Sequence, residues 1–263
     1  MKPFLTVLNY HGLESREGEY SFHHDERAYV LPAEVFERHL DLIRSEGGRV
    51  LSSHEAFSPS LAEKAVLLTF DDGLSSHAAY AAPAMKVRGM TGIFFVSAGK
   101  VGLSGYMDWH ELRALAADGF EIGAHGYDHV PLPPLADGAL LRETAEAKKK
   151  LEDGLGSPVR SFSVPRGFYS GRVGRFVRQA GYQNMFTSHF GVNPVPVQPF
   201  YVKRLAPTRF DAPETLGQWL RADFGSRHFR EEIKERLRRL LGPGIYDHAA
   251  RLKAAARGPG GEA

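Results

Sequence analysis

Two groups of residues in this sequence have the types and spacing for metal-assisted hydrolysis. The first is Asp71-Asp72-Gly73. Adjacent carboxylates repel, and one pKa rises unless a cation intervenes. A divalent ion resolves the conflict: one carboxylate binds it, and the other stays free as a base. Gly73 permits the sharp backbone exit that diverging side chains require. Taken alone, Asp-Asp-Gly reads equally as a turn with two exposed acids. The second group is His125-Gly-Tyr-Asp-His129. Histidines at i and i+4 face the same way across one helical turn, so that two imidazoles can share an ion. That spacing turns Asp128 away from both rings. Alone, the pair also reads as two unrelated loop histidines. Together with an Asp, two His suit zinc or a similar divalent ion and leave positions open for water and substrate.

The elements that must position these groups are legible as short apolar runs. Strands are expected at Phe4–Asn9, Ala65–Phe70, Gly92–Val96, Phe120–Gly123, Arg160–Val164, Asn184–Thr187 and Phe200–Arg204. Amphipathic stripes lie between and after them. Phe36, Leu40 and Ile43 form one; Val173, Phe176, Val177 and Ala180 a second; Phe229, Ile233, Leu237 and Leu240 a third. Asp108 with Glu111 fits an acidic capping box, and Gly119 a helix stop. Strands alternating with helices predict an α/β fold with a mostly parallel sheet. About seven strands suggest closure into a barrel, where chemistry sits on loops after the strand ends. Both groups fall just there: Asp71 follows Ala65–Phe70, and His125 follows Phe120–Gly123.

Composition sets the limits. The chain has 263 residues, 43% hydrophobic and 24% charged, with a formal net charge of +2. It is expected to form one catalytic domain over 1–250, with a helical extension from about 212 and a flexible tail over 251–263. The basic residues between Arg227 and Arg239 alternate with Glu231, Glu232 and Glu235, which reads as a solvated helix face and not a nucleic-acid patch. The absence of cysteine excludes disulfides, thiolate metal sites and cysteine nucleophiles. No stretch approaches the ~20 apolar residues of a membrane helix. The run Phe4–Leu8 is too short for a signal-peptide core, so the chain as given is expected in the cytoplasm.

Three segments together resemble the motifs of the polysaccharide deacetylase family, also called the NodB-homology or carbohydrate esterase family 4 group. Thr69-Phe-Asp-Asp-Gly73 is similar to the first motif and His125-Gly-Tyr-Asp-His129 to the second. Phe162-Ser-Val-Pro-Arg-Gly167 is similar to the third, and Met107-Asp-Trp-His-Glu111 to the segment that precedes the histidines. The resemblance runs from about Leu5 to about Arg204. It implies a distorted (β/α)7 barrel and hydrolysis of the N-acetyl group of a GlcNAc-like amino sugar in a glycan or glycan precursor. Tyr10-His11 resembles a Tyr-His near the start of the branch that deacetylates poly-N-acetylglucosamine, where the strand order looks circularly permuted.

The resemblance also implies roles. Asp72, His125 and His129 hold a divalent cation, zinc first, with Co2+, Ni2+ or Fe2+ as alternatives. The ion lowers the pKa of its water, and Asp71 is the general base. A backbone N–H near Gly167 or Phe168, in the loop Pro165, Arg166, Gly167, Phe168, stabilises the oxyanion. His11 is the general acid, with His189 as second candidate. The sequence departs from the pattern at three places. Ser163 stands where the third motif has an Arg that positions the base, so Arg166 or Arg204 is expected to replace it; Arg204 is also a candidate substrate contact. Gly126 replaces the usual hydroxyl residue, and the C-terminal Leu-x-Leu-His motif is missing. Trp109 is a candidate sugar-stacking residue or a core residue, and His23 and His24 read as surface residues. Two other functions stay open: an amidohydrolase acting on a non-sugar amide or imide, and a decayed glycan-binding protein.

Overall fold

The computed structural model describes residues 3–15, 27–58 and 65–225. Seven of the nine strands of the main sheet among the described residues follow one another around it: β1 Phe4–Tyr10, β2 Ala65–Phe70, β3 Ile93–Val96, β4 Glu121–Ala124, β5 Ser161–Ser163, β6 Asn184–Phe190 and β7 Val202–Arg204. Each pairs in parallel with the next, in chain order. The first ladder runs in register from Leu5 opposite Ala65 to Tyr10 opposite Phe70. Just beyond β7 the ring draws together. Leu205 N–H donates to Val7 O at 2.8 Å, and Asn9 N–H donates to Leu205 O at 2.8 Å. The result is a nearly closed barrel. It is mixed, because Asn193–Pro194 pairs antiparallel with the start of β1.

Every expected strand is present, with ends displaced by up to three residues. Ala65–Phe70 is buried at all six positions. A parallel strand covered on both faces needs such a continuous apolar run. Alternation then sorts the side chains. Leu5, Val7, Ala65, Leu67, Ile93, Phe95, Phe186 and Val202 form one cluster, which fills the barrel. Their neighbours Leu8, Tyr10, Val66, Leu68, Phe70, Phe94, Val96 and Met185 face outward into a second cluster with the helices. Each fully buried Leu, Ile or Phe contributes roughly 1.5–3 kcal/mol.

The helices cover this outer face. Ala33–Ser45 buries Phe36, Leu40 and Ile43, and Gly171–Gln179 buries Val173, Gly174 and Val177. Phe176 is only half-buried, with Arg172 over its ring. Asp108 and Glu111 form the expected capping box of Trp109–Ala117, and Gly119 follows it with φ 89°. A helix does not follow every strand: among the described residues none lies between β6 and β7. Thr215–Leu220 is the last helix among the described residues and buries Trp219. The stripe from Phe229 to Leu240, the tail over 251–263, His23 and His24 lie outside the described residues. No helix among the described residues is long and apolar enough to cross a membrane.

Candidate metal centre

β2 delivers the acid pair. Asp71 N–H donates to Tyr10 O at 3.0 Å, so this residue extends the β1–β2 pairing, and its side chain is buried. Arg204, at the end of β7, grips it with two parallel bonds: Nη1 donates to Oδ1 and Nη2 to Oδ2, both at 2.8 Å. Asn9 Nδ2 adds a third, to Oδ2 at 3.1 Å. Arg204 also donates to Asn9 Oδ1, Ser163 Oγ and Thr187 O at 2.8–2.9 Å. A buried ion pair is stable only when the remaining donors and lone pairs are satisfied, and here they are. Burial works to raise the Asp71 pKa; Arg204 foremost, then His125 and His11, hold it well below the usual carboxylate range. Asp72 lies at φ 80° and Gly73 at φ 76°. Two successive left-handed residues turn the chain sharply, and the neighbouring carboxylates diverge. For the Asp that conformation costs about 1–2 kcal/mol.

The histidine segment is not the helical turn that its spacing suggests. Residues 125–129 form a loop after β4, with Gly126 at φ 73° and His129 at φ 59°. Left-handed residues break helical geometry, so another group must take the loop's free N–H groups. That group is Glu143, in a π-helical turn at Arg142–Glu146. Its buried carboxylate accepts from Tyr127 N–H at 2.7 Å and from Asp128 N–H at 3.1 Å. A Cβ at position 126 would come within 2.6 Å of Glu143 Oε2, so the departure to Gly makes room for this acid. Asp128 points away, as expected, and pairs with Arg142 at 3.0 Å.

The two loops bring three ligand atoms together. His125 Nε2 lies 3.5 Å and His129 Nε2 3.0 Å from Asp72 Oδ1. One ligand atom from each of the three residues lies within 4.8 Å of the others. The protonation pattern shows that this set fits a cation. His125 Nδ1 lies 2.9 Å from Ser163 O, a carbonyl that can only accept, so Nδ1 carries the proton. Burial lowers the His125 pKa to about 4, so the ring is neutral at pH 7. Its bare Nε2 therefore faces a carboxylate oxygen with no proton between them. Asp72 Oδ1 is buried, and His129 Nε2 lies close beside it. Burial works to raise the Asp72 pKa, and His129 and His125 hold it well below the carboxylate range. A divalent cation satisfies all three atoms, and the Nδ1 bond to Ser163 is the outer-shell anchor such a ligand uses.

The other expected site residues divide. His11 follows β1, and its buried Nδ1 has no hydrogen-bond partner. Its backbone carbonyl accepts from His77 Nε2 at 2.8 Å. Arg204, expected either to stand in for the missing arginine or to contact substrate, is buried and pairs with Asp71. Arg166 is exposed at φ 56° and does not replace the missing arginine. Gly167 is corrected as an oxyanion donor: its N–H already donates to Val164 O at 3.0 Å. Pro165 and Phe168 are buried, and Pro165 packs beside Gly126. Of the two roles expected for Trp109, sugar stacking or core, the structure shows packing. Its ring lies against Gly154 of helix Ala147–Leu155, where a Cβ would approach it to 2.2 Å. His189 is buried beside Tyr169 and Tyr201, with Nδ1 2.9 Å from Thr187 Oγ1. Sequence reasoning missed Asn9 and Glu143. Asn9 left a faint signal, as a polar residue closing an apolar strand; Glu143 left only the anomaly at Gly126.

Comparison with known proteins bears on this geometry. The polysaccharide deacetylase family profile matches residues 59–185. YxkH of Bacillus subtilis, described as a candidate polysaccharide deacetylase, is 27% identical over 194 residues, which are 71% of this chain; the chain spans 65% of that relative's length. IcaB from Ammonifex degensii is 28% identical with a TM-score of 0.70, covering 85% of this chain and 98% of that one. Deacetylase PplD of Streptococcus pyogenes, solved with acetate, has a TM-score of 0.74 at 20% identity, covering 84% of this chain and 99% of that one, and this likeness shows the fold.

Proposed function

With membership of the polysaccharide deacetylase family well supported, we propose that this chain is a metal-dependent de-N-acetylase. Its substrate is a GlcNAc-like amino sugar carrying an N-acetyl group, within a glycan or glycan precursor. The observation that carries the reading is the bare His125 Nε2 and His129 Nε2 converging on Asp72 Oδ1, with Asp71 held apart by Arg204. We read the ring of strands as the distorted (β/α)7 barrel of the NodB type.

Asp72, His125 and His129 would hold a divalent ion, zinc first by the mixed nitrogen and oxygen donor set. When bound, the ion acidifies a water and polarises the amide carbonyl. The chain's own residues do the rest. Asp71 stays ionised because Arg204 and Asn9 fix both of its oxygens, and it takes the proton from the attacking water. His11 gives a proton to the leaving nitrogen as the C–N bond breaks, so that acetate and a free amine leave. Ser163 contributes twice: its hydroxyl accepts from Arg204, and its carbonyl orients His125.

The decisive experiment compares zinc-loaded wild type and Asp71→Asn on an N-acetylglucosamine oligosaccharide, with metal content measured alongside. Turnover should fall by about 100-fold or more, while zinc stays at one equivalent. Turnover that survives in the variant, or wild-type turnover that a chelator leaves untouched, sinks the reading.

A further inference from the structure

The catalytic end of the barrel carries two exposed aromatic rings that the chemistry above does not use. Tyr29 ends the short turn Arg27–Tyr29, and its ring lies against His11 with centroids 5.1 Å apart. It still leaves 36% of its surface open. Phe210 follows β7 by six residues, on the loop that leaves Arg204, and is 80% exposed. Burying a Phe normally stabilises a fold, so a ring left this open serves no packing purpose.

The two aromatic loops are built as one unit. Arg209 N–H donates to Ala28 O at 2.9 Å, between the residues that precede each ring. Glu14, whose side chain is 2% exposed, receives Arg27 and Arg209 at 3.4 Å each. Leu31 N–H donates to Gly12 O at 3.0 Å, which ties the Tyr29 segment to the residue after His11. Asp211 Oδ2 accepts from Thr208 N–H at 2.7 Å and from its hydroxyl at 2.9 Å, which shapes the turn under Phe210. A platform fixed before the ligand arrives loses little entropy on binding.

A pyranose ring presents a face of C–H groups that stacks on an aromatic ring. We propose that Tyr29 and Phe210 form a stacking rim for the sugar residue adjoining the one whose amide is cleaved, so that the substrate is an oligomer. The proposal rests on the de-N-acetylase reading and adds a substrate size to it. A monosaccharide fills the catalytic position alone; an oligomer also covers the rim.

The test uses the zinc-loaded protein with two substrates, N-acetylglucosamine and its tetrasaccharide. Wild type should favour the tetrasaccharide in kcat/KM. Phe210→Ala should cut the tetrasaccharide-to-monosaccharide ratio about five-fold, the scale of one aromatic contact, mainly through KM. Tyr29→Phe should keep the wild-type ratio, because the ring remains, whereas Tyr29→Ala should lower it. Titration of the tetrasaccharide into Asp71→Asn, with and without Phe210→Ala, reads binding apart from turnover and should weaken by the same factor. A wild type that cleaves both substrates with no preference, or a ratio unmoved by Phe210→Ala, overturns the rim alone. A Phe210→Ala protein that changes oligomeric state at an unmoved ratio also overturns it, in favour of a surface for a second copy. A wild type that neither binds nor cleaves either sugar overturns the rim and the functional reading together.

Discussion

Leu67 and Asp71 lie four residues apart along β2 and its end, both face the barrel interior, and both are buried. They live in different solvents. Around Leu67 the interior is packed by Leu5, Val7, Ile93, Phe95, Phe186 and Val202. Around Asp71 are Asn9, Arg204 and Ser163, joined by hydrogen bonds, with His125 Nε2 3.9 Å from Asp71 Oδ2. The boundary is thin: the Arg204 guanidinium sits over the Phe95 ring, 5.8 Å from its centroid. The apolar layer is non-directional, and its contribution scales with the area it removes from water. In the polar layer each group is stable only while its partner is present. The same strands thus support a forgiving floor and an unforgiving site.

The sharpest way to break this contrast is Arg204→Ala. The change leaves Asp71 buried and unpaired, which costs about 3–5 kcal/mol of stability. It should also raise the Asp71 pKa and abolish most turnover, while zinc affinity measured by titration of the apo protein changes little. Arg204 touches none of Asp72, His125 and His129. A loss of zinc binding as large as the loss of turnover would show that the base and the metal cluster are one cooperative unit.

Leu67→Ala probes the floor and comes next. It should cost about 2–5 kcal/mol, as large-to-small changes in a packed interior do. Turnover per folded molecule should stay near wild type, measured below the melting transition of the variant. A fall in kcat like that of Arg204→Ala would mean that the apolar layer positions the site directly, and the contrast between the layers would fail.

The two layers were unequally legible in the sequence. The floor could be read strand by strand, because alternation and apolar runs reflect burial and nothing else. In the polar layer the pairs Asp71-Asp72 and His125–His129 were legible because like charges and repeated imidazoles are costly without a reason. Arg204 was one of two arginines able to replace the missing third-motif residue. Only the closing of β7 against β1 decides between them, and that is a property of the ring, not of the local sequence. The histidine spacing was legible but its backbone was not: i, i+4 suggested a helix, and the loop depends on Glu143, which comes from a π-helical turn two elements later in the chain. For Trp109 the sequence left stacking and packing both open for a related reason, since its packing partner Gly154 carries no side chain to announce the contact.

The smallest expected effect concerns a third kind of buried group, polar and neutral. His77 packs on Phe70 and Phe94 with centroids 5.4 and 5.7 Å away, and its Nε2 faces the His11 carbonyl. Because a carbonyl only accepts, Nε2 holds the proton and the ring is neutral. Burial lowers the His77 pKa from 6.5 to about 4, and His39 is lowered to about 4 by burial and Arg38. The unfolded chain therefore takes up a proton at each near pH 6.5, whereas the folded chain does not until about pH 4. Stability is fully present above pH 6.5 and falls as the pH drops through that window, by up to about 1.4 kcal/mol per pH unit for each group. Asp71 and Asp72 have the opposite linkage: their folded pKa values lie below the unfolded ones, so their contribution is intact throughout this window and is lost only below about pH 4. Denaturant unfolding from pH 7 to 4.5, with chelator present, should show the decline. His77→Gln, which keeps a donor for the His11 carbonyl but cannot titrate, should reduce the slope by nearly one proton. An unchanged slope would mean that His77 is charged in the folded protein, and the neutral, one-proton account of its contact with His11 would have to be abandoned.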